Sequence, residues 1–482
     1  MLEIKKPICP IILAQKNHII MNRVLRCASG ALLALLATGW QAKTTAWAAS
    51  LKEFSKEPIC KVKPLAAISD KLPMLNSNCP EVVSGEGILV STMSPLGKDV
   101  PENHLNFKFK GNFALFLHHI NKQSDADAKK TLYVTWLAFN PLKQPVTISV
   151  GEQASYLSQP DAPFVERVPL AIDDDNKLYS GPGDRLTADY IHDKAIIEPP
   201  YKVTVEPGKF AVIRHIDVPV ADLKFHHNGR SFFARGNIDG ALQMATIATF
   251  SETGPPDLGK LEALLQASLM AKPREYEKLR PTPNNAKGRF IYGRVAGVQL
   301  GVHLNATHKL LLTKTKDASK CYPISSLARG TFGTAEIQSA KLLRRYDDTA
   351  YSAHGNYCVD YKVVFNVSNS DYIKRRVYLT LDCPLKSDKN EVKYAEQPEK
   401  AVFYRGSVKL SSKNYQRFYH LVLHKGQKLE PLDSFELEPG EKVSFAIELL
   451  YPPDATPPQL LSVFSPKSEE LKVDLRPLVG KP

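Results

Sequence analysis

What most constrains this fold is the recurrence of apolar residues at every second position, in short runs along most of the chain. Residues 105–109 and 113–117 alternate as Leu105, Phe107, Phe109 and Phe113, Leu115, Leu117. Residues 359–365 alternate as Val359, Tyr361, Val363, Phe365. Side chains on a strand point to opposite faces in turn, so a period of two marks strands with one buried face. The 35 prolines punctuate these runs and argue against long helices. The chain reads as mainly β, with Gly111-Asn112 expected to turn a hairpin between the two phenylalanine runs.

Two regions share a plan. In the first, the strand Tyr133–Phe139 stops at Asn140-Pro141 and Val146–Val150 follows. About 67 residues after Asn140, Glu206-Pro207-Gly208 turns Val203–Val205 into Phe210–Ile213. In the second, Val359–Phe365 stops at Asn366-Val-Ser368 and Val377–Leu381 follows. About 73 residues after Asn366, Glu438-Pro439-Gly440 turns Phe435–Leu437 into Val443–Ile447. This order suits two β-sandwich domains of immunoglobulin-like or jelly-roll-like type, at residues 82–254 and 288–465. Between them, residues 255–287 read as a helix and linker. Asp257 is the N-cap, and Leu258, Leu261, Leu264, Leu265 and Leu269 form one apolar face. Residues 49–81 form an N-terminal arm and 466–482 a tail.

Residues 1–48 read as a secretory leader. Met21 is its expected start, Arg23 and Arg26 its basic end, Ala31–Trp40 its apolar run and Ala46-Trp47-Ala48 its cleavage site. The leader carries six Lys/Arg against Glu3 alone, so its removal lowers the formal charge from +13 to +8. The remaining charges are mixed in sign rather than gathered in a basic stripe, which disfavours nucleic acid. Trp136 is then the only tryptophan, and no segment suggests a membrane span. Five cysteines remain, and an oxidising compartment favours pairing. The expected bridges are Cys60–Cys79, near in sequence, and Cys321–Cys358, with Cys383 a buried thiol.

Several strings together resemble the cyanobacterial domain of unknown function 3370 family, over roughly residues 60–465. They are Glu86-Gly-Ile-Leu-Val-Ser-Thr92, Ser180-Gly-Pro-Gly-Asp184, Ile291-Tyr-Gly-Arg-Val-Ala-Gly297 and Arg329-Gly-Thr-Phe-Gly-Thr334. Asp348-Thr-Ala-Tyr351 with Ala353-His-Gly-Asn-Tyr357, and Tyr451-Pro-Pro-Asp-Ala-Thr-Pro-Pro458, complete the set. The resemblance implies an exported cyanobacterial protein and supplies no catalytic residues or cofactor. It also implies glycine where this chain has Cys358, which would make a Cys321–Cys358 bridge peculiar to this member.

Three places could carry chemistry. Asp347, Asp348, His354 and Arg329 flank a glycine-containing loop and are the candidate acid–base cluster. Asp173, Asp175 and Asp184 are candidate calcium ligands, but position six from Asp173 is Leu178 where an EF-hand needs glycine, so a solvated acidic turn is the better reading. In His118-His119 and His226-His227, adjacent strand residues face opposite ways, so neither pair chelates by itself. There is no nucleophile elbow, His-Glu-x-x-His or P-loop. The expectation is an exported, non-enzymatic protein of the periplasm, cell envelope or medium, partnered by an anionic envelope polysaccharide or another envelope protein. Two alternatives stand beside it: an extracellular hydrolase acting on envelope glycans or peptides through the 329–357 loop, and a calcium- or polysaccharide-binding module.

Overall fold

The structure is a computed structural model that describes residues 61–274, 280–314 and 318–466. The leader, Cys60 and nearly all of the C-terminal tail lie outside the described residues. The described residues fall within one compact unit, Ile59–Pro482. Strand accounts for 49% of the described residues and helix for 6%, so the protein is mainly β. The strands form sheets of twelve, seven and four.

The twelve-stranded sheet is organised by one 25-residue strand, His227–Ser251. Its first half pairs with Phe109–Lys122 and Val146–Leu157, and its second half with Thr131–Phe139 and Gly87–Ser91. The register shifts between Ile238 and Leu242, opposite Gly111 and Phe109. Here the structure corrects the expected hairpin. Phe109–Lys122 is one unbroken strand, and Gly111, at φ +63°, bends it where its partner bulges. A Gly-Asn pair is a turn signal only when the chain must reverse. Leu115, Trp136, Ile148 and Phe232 belong to the core of this region.

The seven- and four-stranded sheets share a second core, with Val363, Phe365, Tyr404 and Leu421 from one and Val377, Leu379, Leu461 and Val463 from the other. Strands from distant parts of the sequence join each sheet. Ile68–Ser69 pairs with His303–Leu312, and Leu170–Ile172 with Tyr415–His424, while Ala296–Leu300 pairs with Pro73–Ser77. There are two α-helices among the described residues: α1 (Pro182–Ile191) and α2 (Leu258–Gln266). The Asp257 side chain accepts from Lys260 N at 2.8 Å, capping α2. Leu261 and Leu265 pack beside Ile88, Leu137 and Ile247, so α2 lies on the twelve-stranded sheet, while Leu258 and Leu269 face out.

The shared plan is present down to single hydrogen bonds. Asn140 donates from Nδ2 to Gln144 O and Val205 O, and its Oδ1 accepts from Leu142 N. Asn369 donates to Ile373 O and Leu437 O, and its Oδ1 accepts from Asp371 N. Gly208 N donates to Asn140 O as Gly440 N does to Asn369 O. The counterpart of Asn140 is therefore Asn369, three residues beyond Asn366; Asn366 is exposed on the strand.

The cysteines also depart from expectation. Cys321 is disulfide-bonded, but Cys358 is a free buried thiol, so a Cys321–Cys358 bridge is not formed. The two belong to different clusters: Cys321 with Val62, Phe332 and Leu460, Cys358 with Phe116, Phe233 and Leu450. Cys358 adopts φ +58°, a conformation that favours glycine. Cys383 is a free thiol in the core with Leu379 and Leu381. Cys79 is buried, and its proposed partner Cys60 lies outside the described residues.

Candidate functional site: a two-signed polar cleft

The 329–357 residues do not assemble as an acid–base cluster. Asp348 forms a two-bonded buried pair with Arg274, at 2.8 and 2.6 Å. Arg329 donates from Nη2 to Ala286 O and Gly288 O. Asp347 is exposed. His354 is buried edge-on against Tyr292 and Phe290, with ring centroids 4.9 and 5.9 Å away, and neither of its nitrogens has a hydrogen-bond partner. No hydrogen bond joins any two of the four. Asn356 serves structure, donating to Gln338 O and accepting from Ala340 N.

The acidic run behaves as a turn. Asp173 Oδ1 accepts from Lys177 N and Leu178 N, and Asp175 pairs with Lys177 Nζ at 2.7 Å. Asp184 is elsewhere, fully buried at the head of α1, where its Oδ2 accepts from Ser180 N at 2.6 Å and His420 Nε2 at 2.7 Å. Among the described residues no three His, Cys, Asp or Glu side chains gather as a metal site.

That buried pair leads to the site. Asp454, from the Tyr451–Pro458 string, accepts from Gly183 N at 2.9 Å and Asp184 N at 3.3 Å. Its carboxylate therefore sits on the amides at the start of α1, where the helix dipole favours negative charge. Glycine is required for this approach. A Cβ at Gly181, which has φ +106°, would lie 2.4 Å from the Phe164 ring, and one at Gly183 would lie 2.9 Å from Asp454 Oδ2. Two strings far apart in sequence thus meet as one construction.

Beside it opens a cleft of about 260 Å³. Asn78 and Glu81 contribute one wall, just after the strand Pro73–Ser77. Phe116 and His118 come from Phe109–Lys122. Phe164, Arg294, Tyr357, Arg405 and the loop Pro453–Thr456 complete it. His118 and His119 face opposite ways. His119 is fully buried between Ser77 Oγ and Pro80 O, while His118 reaches the cleft.

The charges in the cleft are unequally satisfied. Glu81 pairs with Arg294 and lies 3.5 Å from His118 Nε2. Burial alone would raise the Glu81 carboxyl, but His118 and Arg294 outweigh it and hold the pKa below its ordinary value. Burial keeps Asp454 above the ordinary carboxylate range, against the pull of His118 and the Asp184 amide. His118 Nδ1 also meets Ser231 Oγ at 2.9 Å, giving a Glu81–His118–Ser231 chain. Ser231 is fully buried inside its sheet, so its hydroxyl has no access to a substrate.

Two groups are left over. The Arg405 guanidinium has no hydrogen bond or ion pair among the described residues; only the Phe164 ring lies under it, at 5.2 Å. Asn78 is 8% exposed, and its Oδ1 accepts nothing. Sequence reasoning missed both. Arg405 stands in Phe403-Tyr-Arg405-Gly406-Ser407, a string with no signature of its own, and no local pattern marks Asn78.

A mainly β protein with a small polar cleft of both signs is the class that fold and site define. The chain belongs to the family described as protein of unknown function (DUF3370), whose profile matches residues 60–465. No curated protein matches it. Among the described residues no helix is long and apolar enough to cross a membrane.

Proposed function

We propose that the protein is an exported, non-enzymatic binding protein of the periplasm, cell envelope or extracellular space, and that its partner is held at the cleft beside α1. In this reading the two cores belong to two β-sandwich domains that exchange short strands, and the leader at residues 1–48 delivers the chain. The observation that carries the binding role is Arg405: a half-buried guanidinium with no hydrogen-bond or ion-pair partner among the described residues, in the same cleft as the orphaned Asn78 Oδ1. Burial of polar groups without partners costs stability, and a ligand that satisfies them offsets that cost. An anionic envelope polysaccharide supplies the complementary charge.

The test is co-sedimentation of the full chain with an isolated anionic envelope polysaccharide. Arg405→Ala is expected to weaken association about tenfold or more, the loss of one charge-assisted pair. Equal association of the variant and the parent chain would rule out the cleft as the binding site.

A further inference from the structure

We propose that the cleft takes a small carboxylate bearing a hydrogen-bond donor on the first or second carbon from it: a hydroxy- or amino-carboxylate the size of one sugar or amino-acid residue. This rests on the binding reading above and names its ligand. Three observations converge. The unpartnered Arg405 guanidinium is a planar fork of donors that matches a carboxylate in two parallel bonds. Asn78, more than nine-tenths buried, lines the cleft with an Oδ1 that accepts from nothing, so the complement there is a donor. Phe164, 55% exposed, lies beneath Arg405 and gives the carbon body of a ligand an apolar face.

Size and charge narrow the class. At about 260 Å³ the cleft is smaller than the ~300–1,000 Å³ typical of pockets for drug-sized ligands, so a single residue or end group fits better than a chain segment. Two carboxylates, Glu81 and Asp454, also line it. Arg294 answers Glu81, and the amides of α1 answer Asp454, so neither repels a single negative charge strongly. A dianion would meet both without a second free cation. A monoanionic carboxylate is therefore favoured over phosphate or sulfate esters. A uronate at the end of a glycan and a free amino acid both present this chemistry.

Calorimetric titration of the full chain with D-glucuronate, L-alanine, D-glucose and glucose 6-phosphate tests the assignment. Binding of glucuronate or alanine is expected, and which of them binds identifies the source. Glucose and glucose 6-phosphate should give no heat. Arg405→Ala should weaken the acid about tenfold or more, and Asn78→Leu about fivefold, consistent with one charge-assisted and one neutral hydrogen bond. Displacement of polysaccharide from the parent chain by the same acid needs no variant, so a variant that misfolds does not block the test. Failure of both acids to bind, equal binding of glucose, or unchanged affinity in both folded variants would each overturn the assignment. If polysaccharide binds through Arg405 while neither acid does, the ligand assignment falls and the binding role stands. If polysaccharide also fails to bind, both fall.

Discussion

Asp348 and Arg274 meet through two short hydrogen bonds with 7% and 5% of their side chains exposed. Removing one member of such a pair strands the other charge without water. Asp348→Ala is expected to cost about 3–5 kcal/mol in urea unfolding, with Asp348→Asn costing less. His354 imposes a different constraint. Burial lowers its pKa to about 4, Lys386 adding to the effect, and burial lowers His119 to about 3 and His104 to about 4. An unfolded histidine titrates near ~6.5, so below that pH the unfolded chain takes up protons that the fold refuses. Stability is expected to fall from pH 6.5 toward 4, and His354→Phe should flatten that loss in thermal melts across the range. Glu430 acts oppositely: burial raises its carboxyl to about 7, and its Oε1 has no partner. Its contribution is full below the ordinary glutamate pKa and is lost as pH rises through 7. Glu430→Gln should therefore stabilise the protein at pH 8 by about 1–2 kcal/mol after solvent screening, and not at pH 4. Alternation did reveal the two faces of His118-His119. Cys358 lies outside any such alternation, because it precedes the strand Asp360–Asn369 in a left-handed conformation, where strand faces do not extend. In denaturant without reductant, Cys358 and Cys383 should label with a thiol reagent and Cys321 should not; an unlabelled Cys358 would contradict the cysteine assignment.

Among elements, the repeated asparagine turn is the most informative. Asn140 and Asn369 each close a strand with three side-chain hydrogen bonds to equivalent backbone positions. Asn140→Ala and Asn369→Ala are expected to destabilise the protein by similar amounts, about 2–4 kcal/mol each, because buried backbone groups lose their partners. Asn366→Ala, at an exposed strand position, should stay within about 0.5 kcal/mol. Comparing the three in denaturant melts tests the equivalence directly. The recurrence of strand, asparagine turn, strand and Glu-Pro-Gly turn was legible in the sequence, but its register was not. Two asparagines lie three residues apart, and only the carbonyl partners at Ile373 and Leu437 identify the one that closes the turn. The Gly111-Asn112 pair was misleading for a related reason. The same positive φ serves a tight turn or a bent strand, and the bulge in the distant partner Ile238–Leu242 decides between them.

For the whole molecule, the β class was legible because period-two patterning is local, whereas sheet membership was not. The pairings of Pro73–Ser77 with Ala296–Leu300, and of Leu170–Ile172 with Tyr415–His424, join segments more than 200 residues apart. The cleft is non-local for the same reason. Asn78, His118, Phe164, Arg405 and Asp454 come from five separate segments, and each looks ordinary in its own sequence context. The glycines of residues 180–184, Arg294, Tyr357 and the Asp454 string gave a prior hint, as parts of the family's pattern, and the first and last of these mark the construction that shapes one wall. The most direct measurement is a crystal structure of the full chain grown with glucuronate or alanine. Density for the carboxylate is expected on the Arg405 guanidinium, with a hydroxyl or ammonium at Asn78 Oδ1. An empty cleft with Arg405 folded onto Asp454, or a ligand bound elsewhere, would contradict a binding role for the cleft.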